Sequence, residues 1–593
     1  MLDPYRMVFV NIITSLLVLT GVIIYRYVYP KKKINLFILL LIISILPIVS
    51  IFRTGTYESG DFNIHVYRAM AFYDSLKDGQ FMPSWAGELN ATYGYQLFIF
   101  NYSLPYYIIS FFHFLGFSFI SSMKLFLASF YIFSGITLYY FAKLITKNTF
   151  AAFTASILYL FAPYHLVDLH FRVTAGELAA FSLVPLLFYS IHQLIVKKNI
   201  FYFVLSGFSL ALLNMSHMAT AAFALLVLLF YFLFLVIQKK VKQPKKAAVL
   251  CVLSLAFGML SSIQMWIPYL TLAKYTHGSQ LTSGNIIFTP ITELIYSLWR
   301  YGFLFQGPKG ELSFVVGYIH LALLLFTVVY LFRQRDIKKH YNIFFWIFVS
   351  FLLIFFITPF SSFIWKAFPL MSIAMFSYRL LLITSFCISI LAGFLVAKIS
   401  NKTHIWLLVI FLVIGTTILN WGHRRTIPSI NDTALRNNLP KSTYEGEAFC
   451  CLGTPIWIED KKPWFYNIPK QKIEILQGSG KIQPRYRNSV LHKYISQAET
   501  KLEVRENTLY FPGWSAYIDD QKTPINYLTS GNKGTIVFQI PPGLHLIETR
   551  YRDLPVLLYS KYLAAFCLLG SIIYLILHLL FPYRIRKKRI NTS

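Results

Sequence analysis

The chain has 593 residues, of which 56% are hydrophobic and 18% aromatic, while only 13% are charged. Soluble proteins carry about a quarter charged residues, so this composition excludes a soluble globular protein and indicates lipid as the solvent. The formal net charge is +30, but the basic residues form short clusters between apolar runs. A nucleic-acid-binding surface would gather them on one water-facing side, so no nucleic-acid partner is expected.

Apolar stretches long enough to cross a bilayer, about 17 to 25 residues, predict about thirteen spanning helices. They lie near residues 7–28, 34–52, 120–143, 149–165, 176–196, 199–215, 218–237, 246–269, 313–332, 342–358, 376–398, 404–421 and 557–581. The stretch 99–116 contains Pro105, and we expect it to lie at the interface or to re-enter the membrane. The positive-inside rule then predicts a multi-pass membrane protein with its N-terminus outside and its C-terminus in the cytoplasm. The composition is compatible with the bacterial plasma membrane.

The predicted fold is an α-helical polytopic membrane protein with a C-terminal extracytoplasmic β-rich domain. Residues 509–518, 536–540 and 544–551 alternate as strands do, with a polar turn at 519–522. The domain boundaries follow from the change in composition near residue 421. They are a membrane domain at 1–421 with outer loops 53–98, 166–175 and 270–312, a β-rich domain at 422–556, and a last span with a basic tail at 557–593.

The first outer loop contains three chemically useful side chains, Asp61, His65 and Arg68. Their spacing of i, i+4 and i+7 would stack them on one face of a helix just above the bilayer. Asp61 could act as a general base or hold a divalent ion, and Arg68 could bind a phosphate. The alternative is structural: Asp61 caps the helix, His65 is an interfacial polar residue and Arg68 reaches toward the headgroups.

The second outer turn contains Asp168, Arg172 and Glu177 within ten positions. Ionisable groups at a membrane edge are costly unless they are paired or used. The structural alternative is an Arg172–Glu177 pair that only orients two helix ends. His217 and Arg379 also fall at outer ends of predicted spans, where each could bind substrate or be structural.

The order of these parts resembles the GT-C class of glycosyltransferases. The segment from Gly60 to Tyr107 also resembles the bacterial membrane family labelled 6-pyruvoyl-tetrahydropterin synthase-related. Phe511, Pro512, Gly513 and Trp514 with Asp519 are similar to the outer module of YfhO-like proteins. The chain lacks a histidine cluster with zinc-ligand spacing, so the second label implies no pterin chemistry.

The GT-C resemblance implies a sugar transferase that uses a polyprenyl-phosphate-linked sugar and a cell-envelope polymer or glycolipid acceptor at the outer face. It implies catalytic roles for Asp61 and for the second-turn acids Asp168 and Glu177. With that function, the basic residues at the outer ends of the spans are predicted to bind the substrate phosphate: His65, Arg68, Arg172, His217 and Arg379. A divalent cation, Mg²⁺ or Mn²⁺, is a conceivable cofactor, although Asp61 has no adjacent acid and Asp168 and Glu177 lie nine positions apart. The alternative function is a non-catalytic translocation or assembly partner for lipid-linked envelope polymers.

Overall fold

The fold is seen in a computed structural model of the chain. It describes residues 4–276, 286–297, 311–334, 336, 340–368, 371, 374–420, 426–441, 455–458, 468–528 and 534–581. The first half of the membrane domain consists of α1 (Pro4–Val28), α2 (Leu36–Val49), α3 (Phe62–Lys77), α4 (Leu97–Phe100), α5 (Leu104–Phe114), α6 (Phe119–Thr146), α7 (Thr149–Leu160), α8 (Pro163–Leu166), α9 (Ala175–Lys197) and α10 (Ile200–Ser216).

The second half of the chain has a helix at each of the remaining predicted spans, from 218–237 onward. Its helices are α11 (Met218–Ile237), α12 (Pro244–Ser261), α13 (Ile263–Thr271), α14 (Ile291–Ile295), α15 (Tyr318–Phe332), α16 (Tyr341–Ile357), α17 (Ser362–Ala367), α18 (Leu381–Ala397), α19 (Lys402–Asn420), α20 (Asp432–Asn438) and α21 (Pro555–Leu580). A 3-10 turn, Ser377–Leu380, leads into α18.

Multi-pass membrane character is confirmed, but the count of about thirteen spans is not. In the part of the chain that the structure describes, six helices are long and apolar enough to cross a bilayer, and up to eight if two bent pairs are counted. The bent pairs are 149–171, with a bend of 50°, and 341–367, with a bend of 85°. The other five predicted spans coincide with apolar helical segments of 10–17 residues, which are shorter than the roughly 20 residues of a usual span, although α1 and α19 as a whole have 25 and 19 residues.

The segment 99–116 is not a continuous helix. It contains the end of α4 and then the 11-residue α5, with a proline in its first turn. Proline suits that position because its missing N–H has no partner there in any helix. A helix of this length reaches about 16 Å, so α5 is too short to cross the hydrocarbon core, as the interfacial or re-entrant prediction requires.

The C-terminal region is β-rich, as predicted. Its strands are β3 (Ile473–Gln477), β4 (Gly480–Arg487), β5 (Leu491–Ala498), β6 (Leu502–Leu509), β7 (Trp514–Ile518), β8 (Gln521–Thr523), β9 (Thr535–Ile540) and β10 (Gly543–Tyr551). They form a five-stranded sheet in the order β4-β5-β10-β7-β8 and a three-stranded sheet in the order β3-β6-β9. A separate short pair joins β1 (Thr56–Tyr57) in the first outer loop to β2 (Thr426–Ile427).

The two larger sheets face each other through a buried polar contact. The Glu506 carboxylate on β6 accepts hydrogen bonds from Thr549 on β10 at 2.5 Å and from Thr508 at 2.8 Å, and it is also paired with His492 on β5. Burial opposes ionisation of this carboxyl, but the charged and hydrogen-bonding neighbours hold the pKa of Glu506 at about 2. A buried carboxylate with this many partners fixes how the two layers pack.

One strand prediction needs correction. The stretch 509–518 is broken between β6 and β7, where Gly513 has φ +124°, a conformation that residues with a Cβ avoid. The predicted turn after β7 is a tight one, because Asp519 and Asp520 have φ of 47° and 65°. Two successive left-handed residues match the two-residue hairpin turn that Asn, Asp and Gly favour.

The β-rich region rests on the first outer loop. Leu509 N donates to Tyr93 O at 3.0 Å, and Ser489 N donates to the Asp78 carboxylate at 2.8 Å. Trp85 stacks on Tyr551 with ring centroids 5.4 Å apart. The β-rich region therefore lies at the same end of the membrane helices as the loop that contains Asp61. The predicted bounds of this domain, 422–556, and of loop 270–312 fall partly on residues outside the described ranges and stay predictions.

Candidate functional site

The first outer loop and the second outer turn form one structural unit. Gly60 N donates to Phe171 O at 2.8 Å and Asp61 N donates to Arg172 O at 2.9 Å. The Tyr57 hydroxyl donates to Leu169 O at 2.8 Å. A Cβ added to Gly60 would lie 3.2 Å from Arg172 O, so glycine permits the close approach of the two backbones. The loop that contains Asp61 and the turn that contains Asp168 and Glu177 are therefore in direct contact.

Asp61 lies at the N-cap position of α3, but its side chain makes no capping hydrogen bond. Instead, the Ser59 hydroxyl accepts a hydrogen bond from Phe62 N at 3.3 Å. The capping alternative is therefore wrong for this side chain. Burial raises the pKa of Asp61 above its ordinary value, and the positive charges of Arg172 and Arg68 oppose that shift only in part. This places Arg68 within electrostatic range of Asp61, as the helical spacing predicted.

His65 is buried among aromatic residues and backbone. Its Nε2 accepts a hydrogen bond from Ala175 N at 3.4 Å, and its Nδ1 lies 3.1 Å from the Tyr106 hydroxyl. The contact with a backbone donor assigns the ring proton to Nδ1. Burial, with Arg68 nearby, holds the pKa of His65 well below its ordinary value. His65 is therefore neutral and joins α3 to α9; its predicted role in binding phosphate stays a prediction.

The second outer turn contains a π-helical segment, Val167–Phe171, closed by a hydrogen bond of 2.8 Å from Arg172 N to Val167 O. Such segments often occur at functional sites. Val173, which directly follows Arg172, has φ 60°, which is a strained conformation for a β-branched residue. Strain of this kind costs about 1–3 kcal/mol and persists only where the surroundings enforce it.

Asp168, on the π-helical segment, is fully buried. Neither of its carboxylate oxygens accepts a hydrogen bond from any residue that the structure describes, and Arg172 Nη1 lies 3.6 Å from Oδ1. A buried carboxylate without donors is costly. Asp168 therefore has two oxygens with no donor among the described residues, beside the Arg172 guanidinium.

Glu177, in the first turn of α9, is also fully buried, but its carboxylate is saturated. Oε1 accepts from Arg172 Nη1 at 2.9 Å and from Arg379 Nε at 3.1 Å, and Oε2 accepts from the Tyr164 hydroxyl. His217 Nε2 lies 3.7 Å away. The predicted Arg172–Glu177 pair exists, but it is one part of a larger network that also includes Arg379, 202 positions further along the chain.

The cations of this network are held by aromatic and backbone partners. Arg172 lies over the Tyr378 ring at 5.2 Å, and Arg379 lies over the Phe376 ring at 5.3 Å. Arg379 Nη1 also donates to Ala374 O at 2.8 Å. Tyr164 and Tyr378 are members of this network that were not predicted from the sequence. The only sequence signal for Tyr378 was its position next to Arg379.

His217 is the N-cap residue of α11, and its Nδ1 accepts a hydrogen bond from Thr220 N at 3.2 Å. Its Nε2 therefore carries the proton and points toward Glu177. The end of α10 approaches α9 closely here, since a Cβ on Gly176 would lie 2.4 Å from Ser216 O. The structure thus brings Asp61, Asp168, Glu177, Arg172 and Arg379 together with His217.

A metal centre is not visible in the described ranges, where no three His, Cys, Asp or Glu side chains are grouped in a way that could hold an ion. The divalent cation suggested by the sequence stays a prediction.

We call Asp61, Asp168, Arg172, Glu177, His217 and Arg379 the charged cluster. The fold and this cluster define a polytopic helical membrane protein with a polar site at the end of the helices where the β-rich region lies. The family described as "Bacterial membrane protein YfhO" matches residues 99–436, which is more than half of the chain. The chain therefore belongs to the YfhO family of bacterial membrane proteins. The predicted resemblance to YfhO-like proteins is confirmed, whereas the 6-pyruvoyl-tetrahydropterin synthase-related label stays a prediction.

Similar proteins include an uncharacterized protein of Lactococcus lactis subsp. cremoris (strain MG1363), which is 27% identical over 215 residues. The match covers 36% of this chain and 35% of that protein. Among solved structures, the archaeal oligosaccharyltransferase AglB of Archaeoglobus fulgidus, in complex with an inhibitory peptide and a dolichol-phosphate, aligns with a TM-score of 0.40 and 12% identity. That alignment covers 66% of this chain and 56% of AglB.

A second structure of the Archaeoglobus fulgidus oligosaccharyltransferase, with zinc and sulfate, aligns with a TM-score of 0.39 and 13% identity, over 67% of this chain and 54% of that one. This chain thus spans about a third of the Lactococcus protein and little more than half of each archaeal enzyme.

Proposed function

We propose that this protein is a membrane glycosyltransferase that moves a sugar from a polyprenyl-phosphate donor to a cell-envelope acceptor at the outer face. The observation that carries the proposal is the meeting of the two outer segments. It puts the Asp61 carboxyl, which makes no cap hydrogen bond, beside the buried Asp168 carboxyl, which has no donor among the described residues, and beside the cations Arg172 and Arg379.

The chemistry of this arrangement is a displacement at the anomeric carbon. Asp61 takes the proton of an acceptor hydroxyl, whose oxygen attacks that carbon while the bond from the carbon to the lipid phosphate oxygen breaks. A base with a pKa raised toward the working pH suits such a proton transfer. The leaving phosphate gains negative charge, which Arg172, Arg68 and Arg379 stabilise in a site of low dielectric.

Asp168 and Glu177 have different roles in this proposal. Asp168 accepts hydrogen bonds from hydroxyl groups of the sugar or of the acceptor, because its own oxygens lack protein donors among the described residues. Glu177 is a positioning residue that holds Arg172 and Arg379 in place, because both cations donate to its Oε1. His217 supports the same carboxylate.

The proposed function predicts which intermediate accumulates when the protein is absent. In cells that lack the gene, a polyprenyl-phosphate-linked sugar should accumulate at the outer face while the envelope loses one sugar substituent. Lipid extraction with mass spectrometry and envelope sugar analysis measure both. Wild-type protein should reverse both changes, and the Asp61→Asn protein should reverse neither.

A different lipid pattern would contradict this prediction. Accumulation of a lipid-linked polymer without the lipid-linked sugar would instead support the non-catalytic translocation or assembly partner. Rescue by the Asp61→Asn protein would have the same meaning, because a translocation partner has no need of that carboxylate as a base.

The proposed orientation has the N-terminus and the β-rich region outside and the C-terminus in the cytoplasm. Contacts between basic loops support a common side for them, since Lys198 donates to Lys242 O at 2.6 Å and Lys240 donates to Asn342 at 3.0 Å. His578, near the end of α21, stacks on Phe201 at the start of α10 with ring centroids 4.5 Å apart. Clustered lysines at one end of the helices match the positive-inside pattern.

Cysteine labelling tests this orientation in intact cells. In a chain whose Cys450 and Cys451 are replaced by serine, Gln483→Cys should react with a membrane-impermeant thiol reagent and Lys245→Cys should react only after the cells are opened. Both positions are exposed, whereas Cys251, Cys387 and Cys567 are buried. The reverse labelling pattern would put Asp61 in the cytoplasm and overturn the proposed outer-face reaction.

A further inference from the structure

One cavity in the described ranges shares no lining residue with the charged cluster. It has a volume of about 1060 Å³ and lies between α1 and α19 on one side and α2, α6 and α7 on the other. Aliphatic and aromatic side chains form most of its lining. This volume is at the upper end of the about 300–1,000 Å³ typical of ligand cavities.

Three cations line this cavity: Arg26 at the end of α1, Lys33 before α2 and Lys143 near the end of α6. The lining contains no carboxylate. Arg26 is fixed at the end of its helix, since Nη1 donates to Pro30 O at 3.0 Å and to Lys32 O at 2.9 Å. Lys143 lies 5.7 Å above the Tyr139 ring. An apolar space bounded by three cations is complementary to an anionic headgroup with acyl chains.

The cations mark the end of the cavity opposite to the charged cluster. Helix α2 begins beside Lys33 and ends before the first outer loop, and α7 begins close to Lys143 and leads to Asp168. Tyr139, Tyr140 and Trp406 also line the cavity, and aromatic residues of this kind favour the level of the headgroups. The arrangement therefore has a polar end at the interface and an apolar end at the depth of the acyl chains.

We propose that this cavity binds a two-chain anionic phospholipid from the leaflet on the side of the basic loops. Its phosphate would contact Arg26, Lys33 and Lys143, and its acyl chains would occupy the space between α1 and α2. Basic pockets between membrane helices bind anionic headgroups by this combination of charge and apolar contact. The site is independent of the proposed glycosyl transfer, because it shares no residue with the charged cluster.

Native mass spectrometry of the purified full-length protein tests the proposal, with phosphatidylglycerol and phosphatidylcholine of matched chains as probes. Phosphatidylglycerol should bind more tightly. The combined variant Arg26→Gln, Lys33→Gln, Lys143→Gln should weaken its binding about a hundredfold, since each cation near an anionic headgroup contributes about fivefold. The control variant Lys242→Gln, Lys245→Gln, Lys246→Gln removes the same charge from the turn before α12 and from the first turn of that helix, outside the cavity, and should bind as the wild type does.

Val18→Trp provides a second test that keeps all three cations. Val18 is half-buried and lines the apolar part of the cavity, so the larger ring should occupy the acyl-chain space and weaken phosphatidylglycerol binding. Equal binding of the two phospholipids, or an equal loss in the control variant, would overturn the proposal. Tighter binding of a polyprenyl phosphate at the same cations would also overturn it, because the occupant would then be a single-chain carrier lipid.

Discussion

Asp61→Asn should lower the rate of sugar transfer by about 10²- to 10⁴-fold, which is the usual cost of losing a general base. The protein should still fold, because the Asp61 side chain makes no capping hydrogen bond and asparagine has nearly the same shape. The buried position also tolerates the neutral amide, since burial already disfavours the charged carboxyl. The measurement is transfer from a polyprenyl-phosphate-linked sugar by purified protein in nanodiscs, at equal protein amounts.

The same helix offers a matched control. Asp74 lies on α3, three turns after Asp61, and it pairs with the half-exposed Arg436. Exposed ion pairs contribute only about 0–1 kcal/mol, so Asp74→Asn should keep nearly full transfer. Equal activity of the Asp61→Asn and wild-type proteins would show that Asp61 is not the base. Equal losses in the two variants would show that the substitutions act through the folding of α3.

The helices and the β-rich region were predictable because their signals are local. An apolar run long enough to span the bilayer can be recognised within a short window of the sequence. Strands such as β9 and β10 show the alternation of a two-layer structure. The break between β6 and β7 was missed although the stretch contains Pro512 and Gly513, a dipeptide that marks turns. The left-handed conformation of Gly513 in the structure is the one that such a turn requires.

The sequence predicted which residues form the candidate site but not which of them are in contact. Ionisable residues at the outer ends of apolar runs were conspicuous, so Asp61, Glu177 and Arg379 were all named from the sequence. Which of them touch was not visible, because the hydrogen bonds between the two outer segments and the contact of Arg379 with Glu177 join distant parts of the chain. The neutral state of His65 was missed for the same reason, since it depends on burial against α5 and α9.

The two acids of the second turn should separate into a ligand-binding residue and a positioning residue when each is replaced by its amide. Asp168→Asn should abolish most transfer activity and leave thermal stability unchanged or higher. Neither Asp168 oxygen accepts a hydrogen bond within the described ranges, so the change leaves no described donor without its acceptor, and burial already disfavours the charged form of this carboxyl. Differential scanning fluorimetry in detergent measures the stability, beside the transfer assay.

Glu177→Gln should instead destabilise the protein by about 3–5 kcal/mol, because it leaves the buried Arg172 and Arg379 without the carboxylate that both contact. Glu177→Asp keeps the charge but shortens the side chain, so the stability of this variant should fall between that of the wild type and that of Glu177→Gln. If Glu177→Gln were as stable as the wild type and still inactive, Glu177 would act on substrate directly. If Asp168→Asn unfolded the protein, the Asp168 carboxylate would be a structural partner of Arg172, and its proposed contact with sugar hydroxyls would be wrong.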